Sequence, residues 1–350
     1  MNQPTYTQPQ DPRESIRPLL PDTASAEARR HFSRLGLAYL ILTIAFIGVA
    51  YIIQFALLFF CPRLLDEWYM SWVVSLLPLY GVGLPVLWLM LRRIPAAPHN
   101  ADYALPHTPS ASKTRFHIGH WMILLVIAFG CMTAGSLIGS FIMNFLSLIM
   151  NYDYAFAFNS MVDNSPVWMI FLGTCICAPL GEELLFRKLL LDRTRSYGDW
   201  IGILLSGLLF GLFHGNFFQF FYATLVGMLL AYVYTRSGSY WYCVAMHAVI
   251  NFMGSIVTPA LADRLPEDAV SFTSAIQPLI YLFLLLWQYG TLIAGIVLLC
   301  ILWHRRQLSR GTQPLGRQQL LSSALINGGM IACAVVMSLL MLTSLIPIRG

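Results

Sequence analysis

Three short polar groupings interrupt an otherwise apolar chain. "GEELLFR" (Gly181 to Arg187) holds two adjacent glutamates and an arginine. "FGLFHGN" (Phe210 to Asn216) ends on a histidine, a glycine and an asparagine, and "HAVIN" (His247 to Asn251) pairs a histidine with an amide. Glu182 and Glu183 follow fourteen uncharged residues, Val167 to Leu180. A charge near the bilayer centre costs at least ~2.5–3.5 kcal/mol on insertion scales, so these side chains need a compensating role. Carboxylates, imidazoles and an amide are the groups that move protons and stabilise an oxyanion.

Spacing separates their roles. Glu183 and Arg187 are four residues apart on one helix face, with the acid preceding the base, the orientation that pairs well. Glu182 lies about 100° round the helix. It is left free beside a second negative charge, the setting of a general base. His247 and Asn251 are also four apart, so both project to one side. Gly207, Gly211 and Gly215 repeat every four residues, a small-residue ridge for close helix approach. Phe210 and His214 each precede a ridge glycine, so the ridge locks His214 against a neighbouring helix.

Each group has a structural reading when taken singly. A lone intramembrane His or Asn makes an interhelical hydrogen bond, Glu183 with Arg187 makes a buried ion pair, and glycine ridges pack. Of sixteen acidic residues and eight histidines, only Glu182, Glu183, His214 and His247 fall deep within apolar stretches, joined by Asn251. That concentration favours function.

The elements that must position them are membrane helices. The chain has 350 residues, 57% hydrophobic and 11% charged, against about 25% charged in a soluble domain. A net charge of +5 is read as membrane orientation rather than nucleic-acid binding, because the basic residues are spread over short loops. Seven cysteines, mostly within apolar runs, form no spaced metal pair and no extracellular framework. No signal or transit peptide fits the polar first 35 residues.

Apolar stretches predict spans at 36–60, 68–91, 118–150, 166–190, 200–214, 217–235, 240–258, 277–304 and 320–345. The expected fold is all-α, a polytopic helical bundle of about nine spans. The third stretch must tilt or protrude. The fifth, about 15 residues long, is too short to cross and ends at His214–Asn216, a broken helix of the kind tolerated beside a cavity. It and the sixth can equally be one hairpin that dips in and returns. Residues 1–35 read as a disordered cytoplasmic tail, 36–165 as accessory spans, 166–258 as the core and 259–350 as the last two spans. The Pro-bearing 92–117 loop reads as irregular.

With a cytoplasmic N-terminus, 18 of the 21 basic residues fall inside, and the acidic 151–165 loop falls outside. Trp68, Trp72, Trp168, Trp200, Trp241 and Trp303 lie near span ends, as interfacial belts do. At 1.5 Å per residue the polar groups lie roughly 12 Å (Glu182), 10 Å (His247), 16 Å (Asn251) and 20 Å (His214) from the cytoplasmic ends of their helices. One cavity open to the cytoplasm can hold them all.

"EELLFR", "FGLFH" and "HAVIN" resemble the EExxxR, FxxxH and HxxxN motifs of the CPBP (Abi) intramembrane proteases, which include type II CAAX prenyl endopeptidases and bacteriocin-processing or immunity proteins. Three motifs in order on separate helices are a specific signal, covering about 166–258. The resemblance implies an endopeptidase in which Glu182 activates water, His214 holds that water, and His247 with Asn251 stabilises the oxyanion. Glu183, Arg187 and Phe210 are supporting residues. One departure is Lys188, where the family commonly has a small residue, which bears on local packing or substrate access. The implied substrates are a prenylated CAAX-type protein, a bacteriocin or pheromone peptide, or a membrane protein; membrane lipid is the other partner, and nucleic acid is not one.

The family is often called metalloprotease, and Glu182, His214 and His247 would be an acceptable zinc set. HExxH is absent and Asn is a poor zinc ligand. The reading taken is a reaction without an obligatory cofactor, with zinc as the alternative. Two rival functions stay open: a non-catalytic scaffold or immunity protein of the same family, and a proton-coupled transporter, which should show a repeat symmetry that is not evident here.

Overall fold

The computed structural model describes residues 20–96, 117–152, 165–266, 273–303, 308–309, 311–312 and 315–346. Ten helices carry them: α1 (Leu20–Phe60), α2 (Trp68–Leu91), α3 (Ile118–Met150), α4 (Val167–Tyr197), α5 (Asp199–Phe213), α6 (Phe217–Ser237), α7 (Tyr240–Ala262), α8 (Gln277–Trp303), α9 (Arg317–Leu325) and α10 (Gly328–Thr343). There is no strand among the described residues. The all-α polytopic reading holds, and the protein is an integral multi-pass membrane protein.

The span count differs from the expected nine. Among the described residues, seven helices are long and apolar enough to cross a membrane, or eight if α9 and α10, bent by 57° at their junction, form one span. All nine expected stretches are helical, but α5 is too short to be counted with the crossing helices. Large apolar side chains are exposed along the long helices, among them Ile52 and Phe59 on α1, Phe141 on α3 and Ile293 on α8. Water would make such a surface costly; lipid does not.

The expected disordered tail is corrected over its second half. Residues 20–35 extend α1, and Ala28, Phe32, Leu35, Tyr39 and Leu42 are fully buried. Their spacing of four and three residues puts them on one face, a stripe masked in sequence by the polar residues between them. This face packs against α9 and α10, where Gly36 fits tightly against the backbone of Gly329 and Met330. Residues 1–19, most of the 92–117 loop and most of the acidic 151–165 loop lie outside the described residues.

The glycine ridge works as its spacing predicts at Gly207 and Gly211, whereas Gly215 touches no neighbouring helix and serves the break instead. A methyl at Gly207 would meet the Thr224 carbonyl at 2.8 Å, and one at Gly211 the Phe220 carbonyl at 2.8 Å. α5 and α6 are therefore a close antiparallel pair. Gly135 and Gly139 of α3 press on the other side of α6, at Tyr222 and Phe218. The break between α5 and α6 follows from three residues. His214 ends α5, Gly215 takes φ +68°, and extended Asn216 caps α6 by accepting the Gln219 N–H at 2.8 Å.

Candidate active site

α4 carries the first motif and sits among the other site helices. Two of its segments, Phe171–Cys177 and Leu184–Leu189, are π-helical and bracket Ala178–Glu183. Widened turns withdraw carbonyls from the regular ladder, and other helices supply donors. Tyr39 of α1 donates to the Leu185 carbonyl at 2.5 Å, Ser206 of α5 to Phe186 at 2.8 Å, and Tyr240 of α7 to Leu180 at 2.5 Å. Tyr80 of α2 donates to the Cys177 carbonyl, and Asn251 of α7 to Thr174 at 2.7 Å. Gly181 and Gly173 leave room for the Tyr80 and Trp72 rings. Four helices thus fix the position of the two glutamates.

The glutamates differ as their spacing predicts. Glu183 and Arg187 are fully buried, with Arg187 Nε 3.0 Å from Glu183 Oε2. The guanidinium carbon stacks over the Phe210 ring, 4.5 Å from its centroid. Arg187 Nη1 and Nη2 find no hydrogen-bond acceptor among the described residues, so the pair and the ring carry its burial. Glu183 has a second partner that the spacing did not reveal: His247 Nδ1 donates to Glu183 Oε1 at 2.8 Å. Glu182 keeps 17% side-chain exposure, and its Oε2 lies 3.9 Å from His247 Nε2.

Both histidines have a defined Nδ1 partner. The Phe210 carbonyl can only accept, so His214 Nδ1 carries a hydrogen and donates to it at 2.7 Å. The Glu183 carboxylate imposes the same on His247. Each ring is left with Nε2 as its working nitrogen. The Phe210 ring stands edge-on to both, at 4.8 Å from His214 and 5.7 Å from His247. Phe210 therefore spaces the two imidazoles and covers Arg187, which gives the phenylalanine of the second motif its physical task.

Glu182, Glu183, Arg187, Phe210, His214 and His247 come together in this way. Asn251 is not among these contacts; its amide is committed through one N–H to Thr174. Lys188, the departure from the motif, is nearly half exposed and pairs with Asp192 at 2.8 Å, whose other oxygen accepts from Tyr234 at 2.8 Å. A cavity of about 330 Å³ reaches His214 and Gly215 from the side of α1 and α10, lined by Phe46, Ala50, Gln54 and Met337 among others.

The tyrosines that hold α4 were missed in the sequence, where they read as membrane aromatics. Gln219, an amide inside "FFQFFY", was a readable signal. As for a metal, no three His, Cys, Asp or Glu side chains are gathered to hold an ion among the described residues. Glu182, His214 and His247 as placed do not fit such a set.

Residues 164–253 match the family model for type II CAAX prenyl endopeptidase Rce1-like proteins. No curated protein and no solved structure matches the chain. The matched segment runs from α4 into α7 and contains all three motifs. It is similar to type II CAAX prenyl endopeptidase Rce1-like proteins, and it is set within a multi-pass membrane protein.

Proposed function

We propose that the protein is an intramembrane endopeptidase that hydrolyses a peptide bond in the cytoplasmic half of the bilayer with glutamate-activated water. The carrying observation is the asymmetry of the glutamates. Glu183 is held by Arg187 and His247, while Glu182 retains exposure and faces His247 Nε2 at 3.9 Å. A carboxylate anchored on both sides serves as structure; the one left open beside an imidazole serves as a base.

In the reaction Glu182 takes a proton from water as its oxygen attacks the scissile carbonyl, and later passes that proton to the leaving amine. His214 Nε2, with its lone pair free while the ring is neutral, accepts the water's other hydrogen and aims its oxygen. The oxyanion is met by His247 Nε2 and the second N–H of Asn251. Such preorganised donors are usually the largest single contribution to rate. His247 can donate from Nε2 only when both nitrogens bear hydrogen. The family match supports a CAAX-type substrate over a bacteriocin or pheromone peptide. The apolar cavity beside His214 gives such a substrate a lipid-like place next to the site.

The test is hydrolysis of an internally quenched, farnesylated CAAX peptide by purified protein in lipid nanodiscs. Glu182→Gln is nearly isosteric but cannot accept the proton. It should abolish cleavage with expression and thermal stability unchanged. Full activity in Glu182→Gln would remove Glu182 as the base, and no cleavage by the wild-type protein would remove the protease reading and leave a membrane scaffold. Comparative peptidomics of cells carrying either form would then name the natural substrate.

A further inference from the structure

A hydrogen-bonded chain runs from the α5–α6 break to a phenol, and none of the three motifs accounts for it. Asn216 Oδ1 accepts the Gln219 backbone N–H at 2.8 Å. A backbone N–H can only donate, so this contact fixes which end of the Asn216 amide is oxygen. Asn216 Nδ2 then donates to the His214 carbonyl at 3.0 Å and to Gln219 Oε1 at 2.6 Å. With its oxygen accepting, Gln219 presents Nε2 to Tyr222 and donates to the phenol oxygen at 2.8 Å. Polarity therefore passes from the helix cap outward with no free choice. Tyr222 accepts in this bond, and its own hydrogen is left for another group.

No acceptor for that hydrogen is present among the described residues. Tyr222 is half-buried and packs against the core cluster that contains Phe210, where a donor without a partner carries a cost. Its level in the membrane fits the site. α6 runs back beside α5, with the Phe220 carbonyl against Gly211. Tyr222 is five residues past the start of α6, so it lies about 8 Å back from the break. That is the level of Phe210, whose ring touches both histidines. Gly135 of α3 presses on the Tyr222 backbone and holds it there.

The site has use for such a donor. Asn251 has one N–H occupied by Thr174, and His247 donates only while doubly protonated. We propose that Tyr222 is a further catalytic residue, its phenol donating a hydrogen bond to the oxyanion formed as water attacks the scissile carbonyl. Asn216 and Gln219 are positioning residues that set the direction of that donation. The phenol keeps its hydrogen throughout, while Glu182 carries the water's proton to the leaving amine. This assignment rests on the hydrolytic reading above.

Two variants test it in nanodiscs with the quenched farnesylated peptide, beside Glu182→Gln. Tyr222→Phe removes only the hydroxyl. It should lower kcat on the order of ten- to hundredfold, less than the loss of a sole oxyanion donor because others remain. KM and melting temperature should stay near wild type. Gln219→Glu keeps Tyr222 but replaces the donor with a carboxylate that accepts the phenol hydrogen and draws it away from the site. It should lose kcat to a similar degree, and adding it to Tyr222→Phe should cost little more. Wild-type kcat in Tyr222→Phe, or additive losses in the double variant, overturns the assignment while an inactive Glu182→Gln leaves the protease reading standing. No cleavage by the wild-type protein overturns both.

Discussion

His247 Nδ1 donates to Glu183 Oε1 at 2.8 Å, and this contact ties the third motif to the first across 64 residues of chain. It gives Glu183 two duties: it neutralises Arg187 and it fixes the tautomer of His247. The second glutamate of the pair is thus the member tied to two partners, and the first is the member left partly exposed. Neither duty can be removed without disturbing the other.

Arg187→Ala should fail as a folding mutation before it fails as a catalytic one. Breaking a buried pair by removing one partner typically costs about 3–5 kcal/mol, and both side chains are fully buried. Loss of the guanidinium also uncovers the Phe210 face that spaces the histidines. Protein abundance and melting temperature are the readouts. A stable, well-expressed Arg187→Ala protein with only its turnover reduced would assign Arg187 to the chemistry.

Asn251 separates a clamp from an oxyanion donor. Its N–H to Thr174 joins α7 to a π-helical turn of α4, so Asn251→Leu should remove this half-buried hydrogen bond and cost about 0.5–1.5 kcal/mol. Turnover should fall as well, because the second N–H is lost with the first. Chemical or thermal denaturation beside kinetics resolves the two effects. Unchanged stability with reduced kcat would show that the Thr174 contact contributes nothing and that the amide serves the oxyanion alone.

Gly211 and Gly215 should respond differently to the same methyl group. At Gly211 the methyl meets the Phe220 carbonyl at 2.8 Å and crowds Thr224. Overpacking of this kind costs about 1–3 kcal/mol and shifts the end of α5 that carries His214. Misplacement by about 1 Å can lower a rate ~10²-fold, so Gly211→Ala should lose turnover heavily. At Gly215 nothing lies within contact, but φ is +68°. Gly215→Ala should therefore lose about 1–2 kcal/mol of stability from backbone strain and keep most of its turnover. Equal kinetic losses in both would mean that the break itself, rather than the ridge, holds His214.

The parts of this site that were legible in the sequence are those written at helical spacing. Glu183 with Arg187, the Gly207–Gly211 ridge and the stop at His214–Asn216 follow from offsets of four residues and from glycine and asparagine at a break. What was not legible joins distant segments. The contact of Glu183 with His247, the spacing role of Phe210 and the tyrosines that hold the carbonyls of α4 depend on how helices pack. The π-helical turns of α4 have no local signature either, since their cost is offset by donors from α1, α2, α5 and α7. The early start of α1 was hidden for another reason. Its buried stripe, Ala28 to Leu42, needs α9 and α10 to pack against, and a polar sequence without that partner reads as tail.

Orientation decides which substrates can reach Glu182, and it can be measured directly. The expected arrangement puts 18 of 21 basic residues on the cytoplasmic side. Counting α5 and α6 as one hairpin that dips into the membrane and returns leaves every other segment where it was. The 92–117 loop, with Arg92, Arg93, Lys113 and Arg115, should then be cytoplasmic, and the loop with Asp153 and Asp163 should face out. Single cysteines at Ser112 and Ser160, in a background cleared of the seven natural ones, report this with an impermeant thiol reagent on intact cells. Position 160 should label at once, and position 112 only after the membrane is opened. Because α4 enters from the 151–165 loop and ends near Arg193 and Arg195, that result places Glu182 nearer the cytoplasm, within reach of a protein tail made there. The inverse pattern would turn the site towards the outside, and the substrate would have to be an exported peptide.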